Sequence, residues 1–243
     1  MQPFSLLLGV GALTGLLLVG WRAPQKETVR YLDAAVFSLF VALIISRGSF
    51  VWVNWGYYAY HLSEIIQVWQ GGLSGVGALA GAVLGMIIIT LAFKFPLGLL
   101  ADTYLPLAST LAVAAWLGSW VSGSSYGAPS AAWWALPAYD EMGVLNTHLP
   151  VQLLGSILSL LIALLLDRIG PRFSMKGMSA LLYLFGLSGV IFGLSFLRLD
   201  PALTWQGLRL EAWGAVALMI FSALLVVVLL LRQVINRRLS PKG

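Results

Sequence analysis

The sequence predicts an all-α integral membrane protein: a seven-transmembrane-helix bundle with a lipid-accessible central cavity and external interfacial segments. Three observations carry this. The 243-residue chain is 60% hydrophobic and 9% charged, with a mean hydropathy of +0.92, so water cannot solvate its whole surface. Its apolar residues are gathered into seven runs, each close to the ~20 residues that cross a bilayer as a helix. Its basic residues fall mainly in alternate connections, as they do when one side of a membrane retains Lys and Arg.

The first run covers 3–21. No Lys or Arg precedes it, whereas Arg22, Lys26 and Arg30 follow, the reverse of a cleavable signal, so it reads as a first span with the N-terminus outside. Further spans follow at 32–53, 75–93, 103–121, 150–166, 177–196 and 213–231, all within one membrane domain, 1–243. This orientation places Arg22, Lys26, Arg30, Lys94, Arg168, Arg172, Lys176, Arg232, Arg237, Arg238 and Lys242 on the cytoplasmic side, eleven of the fourteen basic residues. Arg198 and Arg209 fall outside, and Arg47 lies within a span. The C-terminus is then cytoplasmic, and a bacterial plasma membrane is the expected location. The net charge of +5 reads as topology and as contact with anionic head groups. No basic stripe with interleaved aromatics points to nucleic acid.

Zero cysteines exclude disulfides, thiolate metal sites and a cysteine nucleophile, so any thiol in the chemistry arrives on a partner. No His/Asp/Glu spacing suits a metal and no glycine-rich phosphate loop follows a strand, so no metal or other cofactor is expected.

Two external connections stand out. Residues 54–74 mix aromatics with His61, Glu64 and Gln67, which suits an interfacial helix at head-group depth. Residues 122–149 hold Tyr126, Trp133, Trp134, Tyr139, Asp140 and Glu141 without one Lys or Arg, as an aromatic-belted external cap would. Gly77, Gly81 and Gly85 share one helix face and admit a close neighbour, and Gly186, Gly189 and Gly193 are expected to do the same. Asp102, at the cytoplasmic end of a span, reads as a helix-start cap. Arg47 must turn from hydrocarbon toward the bundle or the head groups, or pair with Glu64. Gly123-Ser124-Ser125-Tyr126-Gly127 fits the nucleophile-elbow pattern, but that pattern needs a strand-to-helix turn and here it ends an apolar span.

Several blocks together resemble the prolipoprotein diacylglyceryl transferase family. Ser46-Arg47 precedes an aromatic segment and then Trp69-Gln70-Gly71-Gly72-Leu73-Ser74-Gly75-Val76-Gly77-Ala78-Leu79, which matches the family's glycine and serine frame. Where the family carries its histidine, this chain has Val76. Ala101-Asp102 and Pro106 follow in family spacing. In the second signature Gly118, Gly123, Tyr126 and Gly127 register, while Trp116 stands for the arginine, Ser119 and Ser122 for asparagines and Ser124 for the acid. His148-Leu149-Pro150-Val151-Gln152 is similar to the family's His-Pro-[ST]-Gln, with one inserted residue, and Phe196-Leu197-Arg198-Leu199-Asp200 to its Phe-[LF]-Arg-x-x-Asp. Arg22 fits a family basic position, and Phe4 stands where the family carries a tyrosine.

The resemblance implies transfer of the diacylglyceryl group of phosphatidylglycerol to a lipobox cysteine, with glycerol phosphate released. Phosphatidylglycerol or another anionic phospholipid and the signal peptide of a preprolipoprotein are the implied partners. Such chemistry needs a cation for the departing phosphate and a base for the thiol. Arg47, Arg198, Ser74 and Gln152 are the candidate phospholipid-binding residues, Gly71, Gly72, Gly77, Gly118, Gly123 and Gly127 the motif glycines, and His61 or His148 the candidate base. Both histidines also suit a plain interfacial place, as does Arg198. Three functions stay open: a divergent transferase, a catalytically silent phospholipid- or lipoprotein-binding paralogue, and a small transporter, although no internal repeat supports the last.

Overall fold

The computed structural model describes residues 3–139 and 144–239. Asp140, Glu141 and Lys242 fall outside them. The helices are α1 (Pro3–Arg22), α2 (Thr28–Val53), the single turn α3 (Trp55–Tyr58), α4 (Gly75–Phe93), α5 (Leu97–Thr103), α6 (Leu105–Val121), α7 (Val151–Ile169), α8 (Met178–Ser195) and α9 (Leu210–Leu239). Among them, α1, α2, α4, α7, α8 and α9 are each long and apolar enough to cross a bilayer, and α5 with α6 forms a seventh passage bent by 45°. The passages pack in a closed circuit, α1–α2–α4–α9–α8–α7–α6 and back to α1.

The fourth passage differs from the uninterrupted span expected at 103–121. Pro106 lies in the first turn of α6, where its missing N–H costs nothing, and it cannot continue a helix arriving from the N-terminal side. The chain therefore bends at Tyr104. Asp102, just before the bend, does cap a helix, but across the bundle: its carboxylate accepts the N–H groups of Gly177 at 2.6 Å and Ala180 at 3.0 Å, at the start of α8. The same end of the bundle is closed by Arg22 paired with Asp167, Arg30 donating to the Phe93 carbonyl at 2.7 Å, and Gln233 donating to Ser174 at 2.7 Å.

Helices in lipid gain nothing from hiding apolar surface and associate through close packing instead. Gly77, Gly81 and Gly85 lie against Ser49, Ala42 and Ser38 of α2, and a Cβ at Gly81 would sit 2.8 Å from the Ala42 Cα. Gly11 and Gly15 let α1 approach Ala114, Thr110 and Leu107 of α6 in the same way. The second expected glycine face is shorter: Gly186 meets Ile162, whereas Gly189 and Gly193 meet nothing within 4 Å. Large apolar side chains such as Leu13, Phe40, Leu164 and Leu224 stay exposed, as a hydrocarbon surround requires.

The opposite end carries residues 54–74, 122–139, 144–149 and 196–209. Residues 54–74 are not one interfacial helix but α3 and two short 3₁₀ turns at Leu62–Glu64 and Val68–Gln70. At this end a hairpin pairs β1 (Leu136–Tyr139) antiparallel to β2 (Leu145–His148), with Leu136 opposite His148. A second, β3 (Thr204–Trp205) with β4 (Leu208–Arg209), turns through Gln206 and Gly207, both at positive φ, as a two-residue hairpin demands.

Candidate functional site

Arg47 sets the shape of residues 54–74. It lies on α2 and is buried, and its guanidinium donates to four carbonyls: Nε to Ile65 at 2.8 Å, one terminal nitrogen to Gly71 at 2.7 Å and Gly72 at 2.8 Å, the other to Glu64 at 2.6 Å. Four of its five N–H groups are thereby engaged. Tyr58 and Phe50 lie under the cation, with centroids 5.2 and 5.9 Å away. Carbonyls that converge on one cation cannot also follow a single helix axis, which is why the segment breaks. Gly71 and Gly72 adopt φ of 92° and 74°, and a Cβ on Gly72 would lie 2.7 Å from the guanidinium. The Glu64 carboxylate goes elsewhere, accepting the Tyr57 hydroxyl at 2.9 Å, and this bond raises the Tyr57 pKa above its ordinary phenol value.

Ser74 caps α4, its hydroxyl accepting the Gly77 N–H at 3.1 Å, and its carbonyl accepts Ser46 Oγ at 2.8 Å. Two residues on, Val76 packs on α9: a Cβ at Gly214 would meet Val76 Cγ1 at 2.6 Å. Trp116 of α6 lies with its indole against Gly155 of α7, and Val151, Val190, Leu194 and Ile162 complete that apolar cluster. The positions where the resemblance places the family's histidine and arginine are thus filled, each opposite a glycine that makes room.

Residues 126–130 run between β2 and the segment after α8. Ser130 N–H donates to the Thr147 carbonyl at 2.9 Å, Ala128 N–H to Leu197 at 2.9 Å, and Leu199 N–H to Tyr126 at 3.0 Å. Gly127 is pressed against Leu149 and Val151, Gly118 against Phe4, and Gly123 supplies a φ of 67°. Gln152, fully buried, donates to the Ser124 carbonyl at 2.8 Å. Ser125 sits at φ 59°, but the chain enters from helix α6, so the elbow pattern lacks its strand.

His148 is 2% exposed. Its Nδ1 lies 2.9 Å from the Gly127 carbonyl, which fixes the tautomer with the proton on Nδ1. Nε2, an acceptor in that form, is buried without a partner among the described residues. His61 is placed differently: exposed, stacked on Tyr57 at 4.2 Å, with Nδ1 3.0 Å from the Tyr57 carbonyl.

Arg198 follows α8 and is held by carboxylates. Nε and one terminal nitrogen grip Asp200 at 2.8 and 2.7 Å, and the other reaches Glu211 at 2.6 Å. Burial works against the charge, but these two acids outweigh it and raise the pKa above the ordinary guanidinium value. Arg209, from β4, joins the same group by donating to the Asp200 carboxylate at 2.9 Å and its carbonyl at 2.8 Å. Arg209, Asp200 and Glu211 are absent from the sequence-derived site, as are Gly155 and Gly214. The turn Gln206-Gly207 is the sequence signal that folds Arg209 back toward Asp200.

A circuit of seven apolar passages, with the buried Arg47 and His148 and the half-buried Arg198 and Arg209 at one end, defines a polytopic α-helical membrane protein with a polar site at the membrane boundary. A family model described as prolipoprotein diacylglyceryl transferase matches residues 1–228. A phosphatidylglycerol–prolipoprotein diacylglyceryl transferase of Thermosynechococcus vestitus is 28% identical over 207 residues, covering 81% of this chain and 77% of that protein. One of Streptomyces coelicolor, bearing the same name with the number 2, is 30% identical over 237 residues, 90% of this chain and 74% of that protein. One of Bacillus licheniformis is 39% identical over 89 residues, 35% of this chain and only 32% of that protein. The chain belongs to the prolipoprotein diacylglyceryl transferase family, a family of multi-pass bacterial membrane proteins.

Proposed function

We propose that this chain binds an anionic phospholipid, phosphatidylglycerol foremost, on the outer side of a bacterial plasma membrane and holds it without completing diacylglyceryl transfer. The observation that carries this reading is the pair of contacts Val76 on Gly214 and Trp116 on Gly155. A base and a phosphate-stabilising arginine are absent from the two places where the resemblance puts them, and the space has been refilled by apolar packing. A general base contributes about 10²–10⁴-fold and a charge-stabilising donor about 10²–10³-fold, so losing both leaves at most about a ten-thousandth of the rate. Arg198 is assigned to the phosphate and Ser74 and Gln152 to further lipid contacts, while Arg47, committed to four backbone carbonyls, shapes residues 54–74. In this arrangement the N-terminus is outside and the C-terminus cytoplasmic, in line with the basic residues. The relatives' names give a prolipoprotein as the second substrate, and a prolipoprotein signal peptide is the second ligand we propose.

A second reading rests on His148. Its fixed tautomer leaves Nε2 as a lone-pair acceptor, which is what a general base for a thiol requires, and it supports a working transferase in which His148 serves that role. Nanodiscs distinguish the two. Under the first reading, wild-type protein retains phosphatidylglycerol over phosphatidylcholine, Arg198→Gln abolishes the preference, and no glycerol phosphate is released with a lipobox peptide present. Release that disappears in His148→Gln would establish the second reading.

A further inference from the structure

The group around Asp200 contains more guanidinium than its structure uses. Arg198 and Arg209 both donate to the same Asp200 oxygen, at 2.7 and 2.9 Å, so one carboxylate holds two cations side by side. Both arginine side chains are nearly enclosed, at 10% and 11% exposed. The Arg209 Nε–H is buried with no acceptor among the described residues, an uncommon and costly state for a charged group's donor. The two acids are not equivalent. Asp200 is 13% exposed and holds both arginines, whereas Glu211 is 40% exposed and holds only Arg198, through a single nitrogen.

We propose that Arg209 is a second phosphate-recognition residue, and that Glu211 occupies the phosphate position until a phosphodiester displaces it. This rests on the assignment of Arg198 to the phosphate. When Glu211 turns to solvent, Arg198, Arg209 and Asp200 are left with a net charge of +1. A phosphodiester carries one negative charge and restores neutrality, whereas the dianion of a phosphomonoester leaves an uncompensated negative charge in an enclosed site. Phosphate oxygens also accept from planar guanidinium edges in the paired geometry that two arginines braced by one carboxylate offer. The site therefore selects the diester of an intact phospholipid over a free glycerol phosphate, and Arg209 supplies a second guanidinium in a chain whose signature arginine position is Trp116.

The test is equilibrium binding to the full chain, with phosphatidylglycerol in nanodiscs and soluble sn-glycerol 3-phosphate as separate arms. Arg209→Gln should weaken phosphatidylglycerol binding by about tenfold or more, the worth of one charge-assisted hydrogen bond. Glu211→Gln, which keeps the shape but removes the competing charge, should strengthen it severalfold, a gain that a folding defect cannot produce. Glycerol 3-phosphate should bind wild-type protein far more weakly than the diester. Unchanged or weaker phosphatidylglycerol binding in Glu211→Gln overturns the displacement, and equal binding of glycerol 3-phosphate overturns the diester selection. If Arg198→Gln weakens binding and Arg209→Gln does not, the role of Arg209 falls alone. If Arg198→Gln also has no effect, the assignment beneath it falls too.

Discussion

Replacing Arg47 with alanine should unfasten residues 54–74 without disturbing the helices around them. The wild-type guanidinium satisfies the carbonyls of Glu64, Ile65, Gly71 and Gly72 from beneath. A hydrogen bond to a charged donor contributes about 1.5–3 kcal/mol, but water reaches part of this segment and Gln67 N–H already shares the Glu64 carbonyl, so we expect a total loss of about 3–6 kcal/mol. Arg47→Lys recovers only part of it, because one ammonium has three donors and cannot reach four carbonyls spread along the chain. The assay is thermal unfolding in nanodiscs together with limited proteolysis. Arg47→Ala should lower the midpoint and expose the peptide bonds between 60 and 73 to cleavage, while cleavage of the connection after α1 stays as in wild type. If Arg47 acts chiefly on lipid, the variant loses phospholipid binding with an unchanged midpoint and an unchanged cleavage pattern, and that result would refute the clamp.

Three further outcomes follow from the packing and electrostatics. Gly81→Ile should separate α2 from α4 and destabilise the protein by about 1–3 kcal/mol, as overpacking does, while Gly189→Ala, facing open space within α8, should not lower the unfolding midpoint. Glu64→Gln should bring the Tyr57 phenol back down toward its ordinary value, seen as an earlier phenolate absorbance change on raising the pH. The sign follows from the raised wild-type value: the Glu64–Tyr57 bond favours the protonated phenol, and its contribution is present below the free phenol pKa and lost as the pH climbs through the folded one. Val76→His with Trp116→Arg should restore no transfer and should lower stability by about 3 kcal/mol or more, because the arginine enters an apolar cluster and the indole leaves a void beside Gly155. Recovered transfer in that double variant would show that the repacked pocket still admits the chemistry.

The passages were legible because a bilayer imposes one length on every apolar run, and because lysine and arginine mark alternate connections. The bend at Tyr104 was not: Pro106 stood out only through its family spacing, and the pairing of Asp102 with the start of α8, which supports a separate helix ahead of it, is a tertiary contact. The hairpins escaped because their strands have only two to four residues, and the pairing of β2 with residues 128–130 is set by distant chain. At the site, the sequence pointed to Arg47, and to Glu64 as its partner, yet the bond is to the Glu64 carbonyl, and a backbone acceptor has no signature in residue type. Nothing in residue type or spacing singles out Gly155 and Gly214 until Trp116 and Val76 are seen opposite them. Arg209 read as a stray basic residue on the wrong side of the membrane, and the Gln206-Gly207 turn that gives it a partner was the one local signal available.

Phospholipid binding should persist where transfer does not, and one reconstitution tests both halves together. Wild-type protein in phosphatidylglycerol nanodiscs is given a lipobox peptide, and lipid retention and glycerol phosphate release are followed in the same sample. The expected result is retained phosphatidylglycerol, lost in Arg198→Gln, with release at the level of protein-free nanodiscs. Thiol-dependent release by the unmodified chain at rates well above that level would contradict silent binding, and its loss in His148→Gln would assign the base to His148.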